Sequence, residues 1–579
     1  MLARPKLILM SLVVVGFVFF AMAAEESADP ANAAQPITTD STAAAKDLER
    51  NVVRLILPSV LKRPRSCATD LTRPKSYHIY SRVVNPIFFG FSPQTDMTET
   101  SQTHATEQLA GFLTNVTYAS LAAPVVHEAK RLILDTVACA IGGRQSDLGS
   151  IAVRFAELAG IEPAEASIVG EARRATAVAA ATANGRMAGA LDADDTFASA
   201  GQTSHHGGST VMGTLALAER VGASGQDLIA AVAAGYELGA RFGIAVPPRE
   251  VVPTAARAGS WRVGGGPAGV LSAALGCAHI LGLDTEQTMH ALGIAGAHID
   301  MPPLKWFEAQ TAPMVKSLDV GWNTGAGVSA ALLASLGMTG HANILDGDTG
   351  LWRALGYESF DFDAVTGRLG ERWYILDGSF KRWPCQYWIQ PALTAFSRIL
   401  EHEGLTADEI DSVVLRTNTK SGAARFREKQ PEGFVTCQFN LPHPAAMIAL
   451  GVPPGPRWFD DWALNAPEVR AFREKVDVEI EPEAQRAAEW ITDGLIQRIP
   501  ASAEVRANGR TFTARADAGL GAPWFDDTRL SDDDLRTKLD EMAVAEVWNG
   551  RTGAIADAVL SLEEVADVRE LTALLRPGS

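Results

Sequence analysis

Cysteine is scarce: five residues in 579, Cys67, Cys139, Cys277, Cys385 and Cys437. They are scattered, odd in number and form no CxxC pair, which excludes a disulfide framework and a cysteine-built zinc site. Three signature motifs are absent as well. There is no G-x-G-x-x-G in a βαβ unit, no P-loop and no HExxH, and Gly264-Gly265-Gly266 signals only a loop or a helix entry. Positive charge is in deficit, 51 Lys and Arg against 68 Asp and Glu, a formal net charge of −17. That balance argues against nucleic acid and against an anionic membrane surface as partners. It leaves a small anionic substrate open, because such a ligand responds to the field of one pocket. What is present, 47% hydrophobic and 21% charged residues, is ordinary globular composition with chain enough for two sizeable domains.

The first hundred residues stand apart. Arg4 and Lys6 precede an apolar run over 7–20, and Ala21-Met22-Ala23 has the small residues of a cleavage site. Residues 1–24 therefore read as a signal peptide, a membrane anchor if uncut, or an over-long gene model. Residues 25–104 show no sustained period and read as a disordered linker, with a basic patch at Lys62–Arg65. Met97 opens a polar lead into an amphipathic helix. Localisation follows from this alternative: cytoplasmic if translation starts near Met97, exported or membrane-anchored if the leader is real.

Residues 105–378 read as an all-helical domain. Pro124 suits a first helical turn, and Val126, Ile133, Val137 and Ala140 carry a stripe to a stop at Gly142-Gly143. Ser224 with Asp227, and Asp284 with Gln287, have the spacing of capping boxes. Residues 379–545 change texture into a smaller α+β domain. Ile410–Thr417 and Val476–Ile480 read as strands, and Asn508-Gly509 is a strong hairpin signal. Residues 546–579 form a C-terminal helical segment able to pack back on the helical domain.

The stretch from Ala190 to Glu219 carries the chemistry. Asp192, Asp194, Asp195 and Thr196 are followed by a polar loop, the pair His205-His206, two glycines and an apolar helix. A carboxylate beside an imidazole holds the ring in one tautomer and tunes its pKa, and unpaired N–H groups at a helix start face a ligand. The competing reading makes Asp192–Thr196 simple helix caps and leaves the histidines in solvent. A third places a divalent metal on the aspartates and His205-His206.

Seven segments then resemble the MmgE/PrpD family, which includes 2-methylcitrate dehydratase and cis-aconitate decarboxylase. They are AKRLILDTVACAIGG (129–143), ANGRMAGALDADDT (183–196), HHGGSTVMGTLALAE (205–219), SGQDLIAAVAAGYELGARF (224–242), LGLDTEQTMHALGIAG (281–296), LGMTGHANILDGDTG (336–350) and FKRWP (380–384). The resemblance implies a mainly α fold, an all-helical N-terminal domain with a smaller α+β lid, a cleft between them, a homodimer, and no cofactor or metal. It implies a lyase that dehydrates or decarboxylates a small di- or tricarboxylic acid. Catalytic roles carry over to Asp192, Thr196, His205, Lys316 and Lys381, and substrate binding to Arg382, Gln386 and His443.

Departures from the family pattern are equally specific. Ser260-Trp261-Arg262-Val263-Gly264 lacks the family's second histidine, Gln386 stands for a third, His443 for a tyrosine and His206 for a proline, and the loop between Thr196 and His205 is lengthened. These changes imply a substrate shaped differently from methylcitrate or cis-aconitate. An isomerase or epimerase on a related acid, or a non-catalytic dimer with a decayed site, are the alternatives. His279, His290, His298 and His341 read as structural, and Trp306, Trp322, Trp352 and Trp373 as core or interface.

Overall fold

The computed structural model describes residues 104–248, 266–299, 313–316, 319–418 and 424–577. The leader and linker, Ser260-Trp261-Arg262-Val263-Gly264 and Trp306 lie outside the described residues.

Among the described residues, nine helices form the first layer: α1 (Ala105–Thr114), α2 (Ala123–Arg144), α3 (Asp147–Ala159), α4 (Ala177–Ala188), α5 (Gly207–Val221), α6 (Gly225–Ala245), α7 (Gly266–Ile280), α8 (Thr285–Ala297) and α9 (Val320–Ser335). Their starts are written in short polar side chains that accept the first unpaired N–H groups. Ser146 caps α3, Thr176 caps α4, and the Ser224/Asp227 and Asp284/Gln287 boxes close reciprocally at α6 and α8. Helix α2 does not stop at Gly142-Gly143 but runs on to Arg144. The glycines serve close approach instead, since a Cβ on Gly143 would stand 1.9 Å from the Met187 carbonyl oxygen of α4. Helix α6 is long and apolar enough to cross a membrane, yet its window is 94% buried in the protein, as befits a core helix. A two-residue antiparallel pair, β1 (Ala166–Ser167) and β2 (Arg174–Ala175), interrupts the helical region.

The chain then crosses, through β3 (Asp195–Thr196) paired with β4 (Ser379–Phe380), into an α+β unit. Its sheet has the order β10-β9-β5-β6, with β5 (Ile410–Thr417), β6 (Val476–Ile480), β9 (Ala501–Ala507) and β10 (Arg510–Ala516), while β7 (Ile491–Thr492) and β8 (Leu495–Ile496) form a separate antiparallel pair. Strands β5 and β6 are parallel, so a crossover must join them, and α11 (Pro442–Ala449) and α12 (Pro467–Glu474) lie in it. The β9–β10 hairpin turns at Asn508 and Gly509, both at positive φ (53° and 72°), as a two-residue primed turn requires. Helix α10 (Gln390–Glu403) covers the sheet, burying Leu393, Phe396 and Ile399 with Val413, Leu415 and Val505.

From Leu530 onward the chain returns to the helical layer. In α13 (Asp532–Met542) the buried residues are Leu535, Lys538, Leu539 and Met542, one face at helical spacing. With Trp548, Ile555 and Val559 of the following turn and α14 (Thr552–Leu560), and Leu571 of α15 (Arg569–Leu574), the three leucine and methionine side chains join the core built by α1–α9. The return thus begins before position 546, and it places one lysine inside an apolar stripe.

Candidate active site

The β3–β4 ladder is short but decides the site. Asp195 pairs with Phe380 and Thr196 with Ser379, so the acidic loop 192–196 lies directly against Lys381. Lys381 has no solvent-exposed side-chain surface. Its Nζ donates to the Asp192 carbonyl (2.7 Å), Asp192 Oδ1 (3.0 Å) and Asp194 Oδ1 (3.2 Å). Burial works against the ammonium charge, but the two carboxylates outweigh it and hold Lys381 above the usual lysine range. Burial likewise opposes ionisation of Asp194, and Lys381, His205 and Lys316 reverse that, leaving it below the usual carboxylate range.

His205, at the start of α5, is anchored through Nδ1, which donates to the Asp195 carbonyl at 2.7 Å with Thr196 Oγ1 at 3.1 Å. A carbonyl can only accept, so the neutral ring carries its proton on Nδ1 and Nε2 is the basic nitrogen. Burial, then Lys381, push the ring below the ordinary histidine range, with Asp194, Asp192 and the Asp195 carbonyl pulling the other way. His206 has the opposite fate. It is fully buried between Ser204 Oγ (2.8 Å) and the Tyr236 carbonyl (3.1 Å), and burial takes it to about 3. Adjacent histidines therefore divide into a site residue and a core residue.

Lys316 reaches the same group from the turn preceding α9, in a left-handed backbone conformation (φ 55°). Its Nζ donates to the Gly189 carbonyl at 2.7 Å. Burial lowers its pKa, while Asp192 and Asp194 are near enough to pull it up. An ammonium has three donors. Among the described residues Lys316 shows one hydrogen bond, against three for Lys381, so Lys316 is the cation with donors to spare.

Of the three expected binding residues, Arg382 and His443 are engaged elsewhere, whereas the Gln386 side chain is not. Arg382, expected to help hold a carboxylate, is clamped by Glu541 of α13 in two bonds of 2.6 and 2.9 Å, which neutralises its charge. Gln386 bonds through its backbone N–H to the Gln438 carbonyl (2.9 Å), and its Oε1 is buried without a partner among the described residues. His443 lies in the core of the α+β unit, fully buried. Its Nε2 donates to the Trp458 carbonyl (2.8 Å), its ring faces Phe459, and burial takes it to about 3. Among the described residues, none of the partners of His443 belongs to the Lys381–His205 group, and it packs as a core residue. Of the four histidines read as structural, three have rings tied to backbone or hydroxyl oxygens, His279 to Val116, His290 to Gly340 and His341 to Thr349, while His298 contributes only its carbonyl, to Trp322 Nε1. Trp352 and Trp373 are buried, whereas Trp322 is exposed.

The sequence reading omitted Asp194 as a partner of Lys381, and omitted Gln438, whose Nε2 donates to the Ala190 carbonyl (3.0 Å) and ties the α+β unit to the acidic loop. Asp194 was legible in the same D-x-D-D-T run; nothing near Gln438 marks it. A cavity of about 680 Å³ is lined by Val246, Arg368, Tyr374 and Asp493 and by none of these site residues. Lys316 instead lines a smaller one, about 240 Å³, with Gly189 and Val320. Charge and hydrogen bonding, not volume, single out the site. Among the described residues, no group of three His, Cys, Asp or Glu side chains is arranged as a metal-ligand set.

Comparison with known proteins identifies the family. The MmgE/PrpD N-terminal domain matches residues 107–363 and the MmgE/PrpD C-terminal domain residues 383–564. A human cis-aconitate decarboxylase is 26% identical over 492 residues, covering 82% of this chain and 95% of the relative. The mouse protein of that name is 25% identical over 487 residues (82% and 94%), and the one from Aspergillus terreus 24% over 491 (81% and 95%). The chain belongs to the MmgE/PrpD family.

Proposed function

We propose that the protein is a lyase acting on a small di- or tricarboxylic acid by proton transfer beside a carboxylate. The observation that carries this is the neutral, Nδ1-anchored ring of His205 and the Lys316 ammonium, each near enough to Asp194 to favour its charged form, with Lys316 retaining donors for an anionic ligand. Lys316 holds a substrate carboxylate by charge-assisted hydrogen bonds. His205 Nε2 then removes the proton next to that carboxylate, and the resulting imidazolium gives it to the leaving hydroxyl, which departs as water; this is dehydration. In the decarboxylating sense the C–C electron pair stays on carbon as CO₂ leaves, and His205 as imidazolium delivers the proton that quenches it. Neither sequence requires a cofactor. The names of the relatives favour decarboxylation; Gln386, which cannot transfer a proton as a histidine does, favours an acid other than cis-aconitate.

The test is proton NMR in D₂O with a panel of di- and tricarboxylates including cis-aconitate, which reads exchange at carbon as well as net turnover and so separates a lyase from an isomerase. His205→Ala is expected to reduce turnover by about 10²–10⁴ without unfolding the chain. Turnover close to wild type in that variant, or no exchange and no turnover with any acid, overturns the proposal.

A further inference from the structure

Behind the reactive group lies a second buried ammonium that takes no part in the proposed proton transfers. Lys538 on α13 is 1% exposed. Its Nζ donates to Asp135 Oδ1 on α2 (2.5 Å), to the Ala193 carbonyl (2.7 Å) and to the Lys381 carbonyl (2.9 Å). All three donors are thereby used. Burial opposes the charge, and Asp135 overcomes it, so the amine stays protonated above the ordinary lysine range.

The two carbonyls are what make this more than an ion pair. Ala193 separates Asp192 from Asp194, and the other carbonyl is Lys381's own. One ammonium therefore spans the two backbone segments whose side chains make the Lys381–Asp192–Asp194 contacts. A buried charge pair is seldom more stabilising than well-packed apolar residues of the same size. Lys538 interrupts the stripe of Leu535, Leu539 and Met542, where another apolar residue would have served packing alone. Its helix is held in place by polar links on either side of it: Arg382 with Glu541, and Arg131 with Asp532 and the Leu530 carbonyl.

We propose that Lys538 is a positioning residue, which sets the spacing between the acidic loop and the Lys381 turn and so fixes the charge arrangement around His205. This rests on reading the Lys381–His205 group as the reactive site.

His205 itself is the reporter, because its titration responds to Lys381, Asp192 and Asp194 and is measurable without any ligand. The informative variant is Asp135→Leu/Lys538→Met, which removes one charge of each sign, so direct electrostatic change at His205 largely cancels while the hold on both carbonyls is lost. The full chain, with ¹³C-labelled histidine rings and the His205 resonance identified by its loss in His205→Gln, is titrated by NMR. We expect a cooperatively folded variant whose His205 midpoint rises by at least about half a pH unit as Lys381 slackens away from the ring. A folded double variant with a wild-type midpoint overturns the proposal. Should it fail to fold, Asp135→Asn and Lys538→Gln are compared. The first keeps both carbonyl bonds and is expected to shift the midpoint much less than the second; shifts of equal size overturn the proposal. Because the titration is read on ligand-free protein, a panel in which no acid reacts counts against the proposed reaction and not against this role of Lys538.

Discussion

Lys381 grips Asp192 twice, donating to its backbone carbonyl at 2.7 Å and to its carboxylate at 3.0 Å. Asp192 can present both oxygens to one ammonium because it turns through the left-handed region (φ 56°), which aspartate enters more readily than most residues. With Asp194 as third acceptor the donors of Lys381 are exhausted. Its part is to neutralise and place the two carboxylates, and in the proposed reaction a substrate carboxylate is left to Lys316.

Removing Lys381 therefore damages the folded state as well as the chemistry. Lys381→Met leaves the buried Asp192 and Asp194 carboxylates without their cation, and breaking one side of a buried ion pair costs about 3–5 kcal/mol. Urea denaturation should show a loss of that order. A stability equal to wild type would mean that the aspartates are compensated elsewhere.

The remaining cations separate cleanly. Lys316 shows a single carbonyl contact and is expected to weaken apparent binding of the substrate acid more than about tenfold when changed to Met, since truncating one partner of a desolvated charge contact commonly costs 2–5 kcal/mol. Arg382 is already matched by Glu541, so Arg382→Met should alter affinity less than about threefold, within the range of weak partly exposed ion pairs. Calorimetric titration of both variants decides this; equal losses would place Arg382 in the binding group after all.

Much of this was legible in the sequence, and unevenly so. Strands β5 and β6 are bounded by the residues their composition suggests, and Asn508-Gly509 turns the hairpin, because period-2 alternation and positive-φ residues are local signals. The pairing of β3 with β4 is not local. Two residues per strand carry no pattern, and only the family resemblance linked Asp192 to Lys381 across 189 positions. His443 misled for a related reason. Sequence position aligned it with a site tyrosine, whereas its surroundings, the Trp458 carbonyl and Phe459, come from a segment whose packing the sequence does not announce. Lys538 left one clue, a lysine on the apolar face of an amphipathic helix.

Acid sensitivity follows from the two core histidines. His206 and His443 are buried neutral, each with a folded-state pKa of about 3 against about 6.5 unfolded. Between those values the unfolded chain binds more protons than the folded one, so stability rises with pH, and each contribution is lost progressively as pH falls from about 6.5 toward 3. One such group contributes a slope of up to about 1.4 kcal/mol per pH unit. His443→Gln should therefore show a shallower fall in unfolding free energy across pH 6 to 4 than wild type, by up to that amount. An unchanged slope would mean that His443 is protonated in the folded state.

Ligand binding should take up a proton at His205. In the free protein burial and Lys381 hold the ring below the ordinary histidine range, so near neutral pH it is mostly unprotonated. A carboxylate brought in by Lys316 adds negative charge beside the ring, which favours the imidazolium and raises its pKa. Protons are then absorbed at any pH lying between the free and bound values, and apparent affinity falls as pH rises through that window. Titration calorimetry of the substrate acid in phosphate and in Bis-Tris, whose ionisation enthalpies differ widely, measures the number of protons taken up. We expect net proton uptake at slightly acidic pH in the wild-type protein and almost none in His205→Gln, with binding itself retained through Lys316. Uptake that persists in His205→Gln would assign the proton to another group, and binding without uptake in wild type would mean that His205 does not face the bound carboxylate.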